Sequence, residues 1–391
     1  MRNRVVLIGV ALLALALMPS REVQAQPACG GQVGPCGQIP SNNTGYGTTA
    51  AEFLLLAPSS RGMALGGSFA ALTTDVSAVY YNPGGLSQIE RAGLMASTMN
   101  YVAGTKYAWA AAAFPMSGGA RAFGVSVANF GFSNQPVYTV DDPTGSSGDV
   151  YSVSETVAGL TYSQQFSDRF SAGLTAKYIN DQLGRASGNA FAVDFGTSFH
   201  AMLGGRPVRA SFVIQNLGST LGHTGQALSV TVPRNPPSGQ QDVPQEPATA
   251  QLTTKDWPLP VMFRVGLAYD LFQTTAGRLS VLGEFTQPNN NNPGFNFGGE
   301  YNVALGSSGF AIAGRASVTY WPDNNVTPPD SNSAGYAGFS GTSSTSQYRM
   351  SAGGGLYYHP GTSGFGIGID YAYRNMGLLG GVNMLTVGFN W

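Results

Sequence analysis

The sequence predicts an all-β fold: a transmembrane antiparallel β-barrel of about fourteen strands, with an N-terminal plug segment in its lumen. Charged residues form only 10% of the chain, whereas about a quarter is usual in soluble proteins. From about residue 92 onward, short segments alternate large apolar residues with small or polar ones. Gly, Asn, Asp, Pro and Ser clusters separate these segments, which is typical of strands joined by turns.

The N-terminus indicates export. Arg2 and Arg4 precede an apolar run, and a small-residue cleavage site ends at Ala25. We therefore expect a cleaved signal peptide over residues 1–25, followed by a periplasmic leader over 26–49. Later apolar stretches are shorter than the roughly 20 residues that a spanning helix needs, which favours strands over membrane helices.

Two cysteines, Cys29 and Cys36, lie in the Gly/Pro-rich leader. An oxidising periplasm permits a small disulfide loop between them. The alternative, in which they have no specific role, stays open. The net charge of −1 offers no basic patch, so we expect no nucleic-acid partner.

The alternation also predicts which side chains face lipid. In segment 168–182, Leu174 shares a face with other large residues, whereas Ser171 lies on the small-residue face. Because a barrel lumen is polar or crowded and its exterior meets lipid, we expect the large faces to point outward. The predicted strands are 92–103, 107–116, 120–131, 153–164, 168–182, 187–202, 207–218, 260–271, 277–287, 293–303, 309–320, 347–358, 363–374 and 380–391.

The lengths of the connections provide an internal test of this strand count. With both termini in the periplasm, every odd-numbered connection lies on the outer side. The three longest, 132–152, 219–259 and 321–346, are the third, seventh and eleventh, so all three are predicted to be outer loops. The short turn around Gly118 falls on the periplasmic side.

The last predicted strand alternates up to a terminal aromatic residue, through Leu385, Val387, Phe389 and Trp391. Outer-membrane barrels end in this way for recognition by the assembly machinery, although phenylalanine is the usual last residue. We expect Phe389 and Trp391 to form that signal. The expected location is the bacterial outer membrane, with its lipid and the barrel assembly machinery as partners.

Residues 50–91 do not alternate and contain signals for compact helix and turn, above all at Asn82, Pro83 and Gly84. Irregular backbone is tolerated at membrane depth only where protein surrounds it. We therefore expect a plug over 50–91, with a plug turn at Asn82, Pro83 and Gly84, ahead of a barrel over 92–391.

Two stretches carry a family resemblance: 60–70 reads SRGMALGGSFA and 75–86 reads DVSAVYYNPGGL. With AKY at 176–178 and QNLG at 215–218, they resemble the PorV/PorQ family. That family is related in fold to FadL-type barrels, whose plug carries a similar Asn-Pro-Ala turn. Gly84 stands where alanine is commoner. The resemblance covers most of the chain outside the long outer loops.

The resemblance implies two functions. A PorV/PorQ-type barrel implies a surface-binding or shuttle component of type IX-like protein secretion, whose outer loops grip secreted cargo proteins. A FadL-type barrel implies a channel that takes up a small hydrophobic ligand and releases it when the plug turn moves. The extent of the PorV/PorQ-like pattern favours the first, and the plug turn favours the second.

Charged residues on the small-residue face are expected to form a network that holds the barrel around its plug. Unpaired charge in a confined lumen is unfavourable, and the ring of one sign that a selective pore would need is not visible. The predicted lumen network consists of Lys177, Asp194, Arg209, Arg264, Asp270, Glu284, Glu300, Arg315, Asp370 and Arg374.

An enzyme is not expected. The three histidines, His200, His223 and His359, lie near a periplasmic rim, in the longest outer loop and in a periplasmic turn. No Ser/His/Asp arrangement or clustered metal ligands can be assembled from them. We therefore expect neither a catalytic site nor a metal or cofactor.

Overall fold

Fourteen antiparallel strands close into one barrel, because the first strand pairs with the last. The computed structural model describes residues 47–116, 120–232, 247–306, 308–322, 347–360 and 364–391. The strands are β1 (Gly93–Asn100), β2 (Lys106–Pro115), β3 (Arg121–Pro136), β4 (Val150–Ser167), β5 (Phe170–Leu183), β6 (Ala186–Leu203), β7 (Arg206–Gly218), β8 (Met262–Gln273), β9 (Gly277–Pro288), β10 (Gly294–Ala304), β11 (Phe310–Trp321), β12 (Gln347–Tyr358), β13 (Gly366–Asn375) and β14 (Gly381–Asn390). Each corresponds to one predicted segment, so the predicted barrel is confirmed.

Side-chain exposure shows which face of the sheet is outside. Leu174 of β5 and Phe195 of β6 are 51% and 39% exposed, whereas Ser171 and Thr175 of β5 are buried. Large residues therefore cover the exterior of these strands and small ones line the lumen, as predicted. An exterior of this kind matches the apolar band that transmembrane barrels present to lipid.

Aromatic side chains gather near both ends of the strands. Phe285 and Phe295 contact each other near one end, with ring centroids 5.4 Å apart. Phe389 and Trp391 stack at the opposite end, with centroids 5.6 Å apart, and the Trp391 N–H donates to the Ala92 carbonyl at 3.0 Å. Aromatic girdles of this kind mark the two membrane interfaces of outer-membrane barrels.

The connections follow the predicted parity. β1 begins and β14 ends at the end of the barrel that carries short turns such as Gly204 and Gly205. Strands β3, β7 and β11 end, and β4, β8 and β12 begin, at the opposite end. We call these the turn end and the loop end.

Two of the predicted loops contain more regular structure than expected. β3 and β4 continue past the predicted loop boundaries and leave only 137–149 between them. Within 219–259, Ser229–Val232 pairs with Ala248–Gln251. The predicted loop boundaries therefore differ from the structure in these parts, because backbone polar groups there find partners by continuing the sheet or by forming a small hairpin.

Strand β2 places two large side chains inside. Tyr107 and Trp109 of β2 are only 2% and 4% exposed, whereas Ala108 faces outward. This arrangement is the reverse of that in β5 and β6. At the far end of β2, however, Phe114 is 44% exposed. Large residues therefore change faces along the strand, which explains why this segment alternates poorly in the sequence.

Residues 50–91, called here the N-terminal segment, contain two short 3-10 helices, Glu52–Leu55 and Pro83–Gln88, and two short α-helices, α1 (Ser60–Ala64) and α2 (Ala78–Tyr81). The predicted compact helix and turn are therefore present. Much of the apolar core lies between this segment and the inward face of the barrel. Among the described residues, no helix is long and apolar enough to cross a membrane.

Candidate functional site

The N-terminal segment is hydrogen-bonded to inward-facing residues of strands all round the barrel. The Ser60 N–H donates to the Thr386 hydroxyl of β14 at 2.8 Å. The side-chain amide of Asn296, on β10, donates to the Leu65 carbonyl at 2.7 Å. The Ser87 N–H donates to a hydroxyl on β4 at 3.1 Å. The segment is thus fastened to opposite walls, while its role as a plug stays a prediction.

Asn82, the first residue of the predicted plug turn, is fully buried. Its side-chain amide donates to the carbonyls of Ala70 and Thr197, both at 3.0 Å. Its Oδ1 accepts the Gly84 N–H at 3.0 Å. One side chain therefore closes the turn on itself and ties it to β6.

Glycines let the turn approach the wall closely. A Cβ on Gly173 of β5 would lie 2.5 Å from the Pro83 carbonyl oxygen, and one on Gly196 of β6 would lie 2.3 Å from Asn82 Oδ1. A Cβ on Gly84 would meet the Gly196 oxygen at 2.7 Å. This contact explains why glycine stands where alanine is commoner in the families that the sequence resembles.

Most of the predicted lumen network forms ion pairs. Lys177 lies 2.6 Å from Asp194, and Arg209 lies 2.7 Å from Asp270. The Arg264 to Glu284 distance is longer, at 3.9 Å, because both groups also bind the N-terminal segment: Arg264 donates to the Gly67 carbonyl and Glu284 accepts the Ala70 N–H.

Two further members of the predicted network, Glu300 and Asp370, surround Arg315. Its guanidinium lies 2.6 Å from Glu300 and 2.6 Å from Asp370. Arg374 faces inward on β13 and pairs with no carboxylate among the described residues. The structure therefore brings the predicted charges together in small groups and leaves Arg374 apart.

Two residues that sequence reasoning missed, Arg61 and Asp75, extend the Arg315 group into the N-terminal segment. Arg61 lies 2.8 Å from Glu300 and 2.6 Å from Asp75. Burial alone would lower the pKa of Arg61, but the two carboxylates outweigh it and hold that pKa well above its usual value. In the sequence, the only indication of their role is that each is an isolated charged residue within an otherwise apolar segment.

An apolar pocket lies between the N-terminal segment and strands β2 to β5. Its volume is about 20 Å³, enough for roughly one water molecule. Residues lining it include Phe53, Leu54, Val79, Tyr80, Tyr107, Trp109 and Lys177. Sequence reasoning missed this pocket; the poor alternation of β2 was the only signal.

The 3-10 helix Glu52–Leu55 covers this pocket. The Leu54 carbonyl accepts the Tyr80 hydroxyl at 2.9 Å, and the Phe53 ring stacks on Phe130 of β3 with centroids 6.4 Å apart. A short helix with few backbone partners therefore separates the pocket from the loop end of the barrel.

A larger, open cavity lies at the turn end. It encloses about 550 Å³ and is lined by residues that include Gln88, Glu90, Met116, Gln165 and His200. Because Gln88 ends the 3-10 helix that begins at Pro83, this cavity adjoins the segment that follows the plug turn.

The histidines do not come together. The ring of His200 lies 3.1 Å from the Ser198 hydroxyl, and that of His223 lies 3.0 Å from Asp181. Among the described residues, no group of three or more His, Cys, Asp or Glu side chains is arranged to hold a metal. Cys29 and Cys36 lie outside the described residues.

No protein-family model matches the chain, and no curated protein matches its sequence. The toluene transporter TbuX of Ralstonia pickettii matches its structure with a TM-score of 0.50 and 11% identity, over 86% of this chain and 98% of the transporter. The CymD monoaromatic hydrocarbon channel matches at 0.49 and 9%, over 86% and 97% of the two chains. A Pseudomonas aeruginosa FadL homologue matches at 0.46 and 10%, over 85% and 98%.

At these sequence identities, structural similarity is evidence for the fold alone. Of these three structures, TbuX, with a TM-score of 0.50, is similar enough to support it. The barrel thus shares the fold of the toluene transporter TbuX, an outer-membrane type of fold that the sequence predicted. The PorV/PorQ resemblance has no counterpart in these comparisons and stays a prediction.

Proposed function

We propose that this protein is a FadL-like channel for the uptake of small hydrophobic molecules across the bacterial outer membrane. The observation that carries the proposal is the apolar pocket, walled by Tyr80, Tyr107 and Trp109, in a lumen that otherwise contains small residues and mostly paired charges. Apolar and aromatic walls with a few polar groups are typical of sites for small hydrophobic ligands. The fold shared with the toluene transporter TbuX supports the same class of function.

The described arrangement is a closed state of the proposed channel. Ligand pockets usually enclose about 300–1,000 Å³, far more than the roughly 20 Å³ present here. A ligand therefore enters from the loop end when the Glu52–Leu55 helix withdraws. It leaves past Asn82, Pro83 and Gly84 into the open cavity at the turn end.

The proposed orientation places the turn end in the periplasm. A signal peptide over 1–25 directs export, and Phe389 with Trp391 serves the assembly machinery. Exposed large side chains on the barrel exterior support a lipid environment. Because TbuX is described as a transporter, we propose transport without catalysis. A link to type IX secretion rests on the PorV/PorQ resemblance alone.

Trp109 provides a direct test, because its ring lines the pocket. We expect toluene to change the fluorescence of the purified barrel in a saturable way. A Trp109→Phe variant removes the reporter but keeps an apolar aromatic wall, so it should lose this change while keeping toluene uptake into vesicles. Absence of any saturable change in the wild type, together with absence of uptake, would show that the proposal is wrong.

A further inference from the structure

Lys177 lies where the apolar pocket meets the paired charges of the lumen. Its side chain is only 8% exposed and lines the pocket. The ammonium nitrogen is 2.6 Å from Asp194 Oδ2 and donates to Asn216 Oδ1 at 2.8 Å. A lysine ammonium has three N–H donors: one is used by Asn216, Asp194 Oδ2 is a close ion-pair partner without an aligned hydrogen bond, and a third donor is left for the pocket.

The third donor has only a weak partner in this closed state. The Lys177 nitrogen lies 5.8 Å from the centre of the Tyr80 ring, close to the limit of a cation–π contact. Since Tyr80 also lines the pocket, the donor lies on the side where a ligand would bind.

The partners of Lys177 are held in place by backbone. Asn216 has a φ of 60° at a register shift between β6 and β7. Its N–H donates to Asp194 Oδ1 at 2.8 Å, and its side-chain amide donates to the Pro260 carbonyl at 3.0 Å. The ammonium group is therefore a fixed donor, since its two anchors cannot turn to follow a ligand.

Charge balance decides what this donor can recognise. Asp194 already neutralises Lys177, so an anionic ligand would gain no net attraction from this pair and would lie near a buried carboxylate. A plain hydrocarbon offers nothing to the third N–H. A neutral acceptor, such as a carbonyl oxygen, completes the donor set without adding charge.

We propose that Lys177 makes the pocket selective for uncharged, mostly apolar molecules that carry one hydrogen-bond acceptor, over hydrocarbons and carboxylates of the same size. The inference rests on the proposed function as a hydrophobic channel. Lys177 is the specificity-determining residue, and Asp194 and Asn216 position it.

Three probes of nearly the same shape test the ranking: ethylbenzene, acetophenone and benzoate. Binding is measured as the saturable change in Trp109 fluorescence of the purified barrel, with the signal of a Trp109→Phe variant subtracted. We expect acetophenone to bind about tenfold more tightly than ethylbenzene, because one hydrogen bond to a charged donor strengthens binding by about tenfold or more. Benzoate should bind more weakly than acetophenone.

A double variant, Lys177→Met with Asp194→Asn, removes the donor without leaving a buried charge unpaired. It should lose the preference for acetophenone, so that ethylbenzene binds at least as well. The matched control is Arg209→Met with Asp270→Asn, which replaces an ion pair elsewhere in the lumen and should keep the wild-type ranking. Heat-modifiable gel mobility checks that both variants fold.

The outcomes separate the two proposals. If ethylbenzene binds the wild type as tightly as acetophenone, or benzoate binds most tightly, the role of Lys177 is wrong while the channel stands. The same holds if the double variant folds and keeps the preference. If no probe binds the wild type, the proposed function fails as well. If the double variant does not fold, the ranking of the three probes on the wild type alone decides whether the proposed role of Lys177 is correct.

Discussion

The backbone of Gly84 touches the backbone of Gly196: a Cβ atom on Gly84 would lie 2.7 Å from the Gly196 carbonyl oxygen. Backbone cannot move aside as the end of a flexible side chain can. The turn between α2 and the following 3-10 helix is therefore held against β6 by shape, in addition to the hydrogen bonds of Asn82.

Replacing Gly84 should destabilise the barrel in proportion to the size of the new side chain. We expect Gly84→Ala to lower the free energy of unfolding by about 1 kcal/mol and Gly84→Val by up to about 3 kcal/mol, because well-packed sites tolerate added methyl groups poorly. Urea unfolding in lipid vesicles measures this. The control is Gly314→Ala, where a Cβ meets nothing within 4 Å; equal effects at both positions would contradict the prediction.

The two arginines bound to Glu300 should differ in importance. Loss of Arg315 leaves both Asp370 and part of Glu300 without their partner, so Arg315→Met should destabilise by about 3–5 kcal/mol. After Arg61→Met, Glu300 keeps Arg315, and we expect a smaller loss of about 1.5–3 kcal/mol. Unfolding free energies of the two variants provide the comparison. A larger effect at Arg61 would mean that the N-terminal segment, rather than the wall, stabilises this group.

The outward face of β5 should not tolerate a charged side chain. Near the bilayer midplane, Leu174→Arg should weaken assembly into membranes by about 2–4 kcal/mol, measured by refolding into vesicles. The control is Tyr138→Arg, at a position in the 137–149 connection that is 65% exposed, where the change should stay within about 0.5 kcal/mol. Equal insertion of wild type and Leu174→Arg would contradict the assigned orientation.

The order of the 137–149 connection should depend on pH through Asp142. Backbone N–H groups of Ser147 and Ser146 donate to its carboxylate at 2.7 and 3.0 Å and lower its pKa below the usual value. Because the pKa is lower in the folded protein, the stabilisation is complete above about pH 4, the unfolded pKa, and is lost as pH falls further.

Hydrogen exchange at the Ser146 and Ser147 amides, corrected for intrinsic rates, measures this order. Protection should stay constant from about pH 7 to pH 5 and fall only at more acidic pH. An Asp142→Asn variant should show weaker protection that does not change with pH. A decrease that begins between pH 7 and pH 5 would point to another group.

The outer connection between β7 and β8 separates the two functions that the resemblance implies. Deleting residues 225–255 should leave a heat-modifiable barrel that still binds toluene, since the pocket residues lie elsewhere. The shuttle function would be favoured instead if the deletion abolished binding to secreted partner proteins. This holds whether the deletion leaves toluene binding unchanged or the wild type never binds toluene. Co-purification of partners and Trp109 fluorescence are the two measurements.

The sequence by itself determined the barrel, its strand count and the outward face of strands such as β5 and β6. Each strand carries a period-two pattern whose faces meet different surroundings, so residues such as Leu174 and Ser171 could be assigned to opposite faces without coordinates. The parity of the long connections then agreed with the strand count that the periodicity predicted. The sequence also placed charged residues such as Lys177, Asp194 and Arg315 on the small-residue face, but which of them pair was not assigned from it.

Only the tertiary structure decided how the N-terminal segment meets the wall. No local pattern indicates that Arg61 reaches Glu300, a residue distant in sequence, or that Gly84 lies against Gly196. The pocket beside Trp109 was hidden for the same reason: β2 turns its large side chains inward because the N-terminal segment packs against them there. Strand periodicity indicates which face is apolar. Contacts between parts of the chain that are distant in sequence depend instead on how the closed barrel surrounds the N-terminal segment.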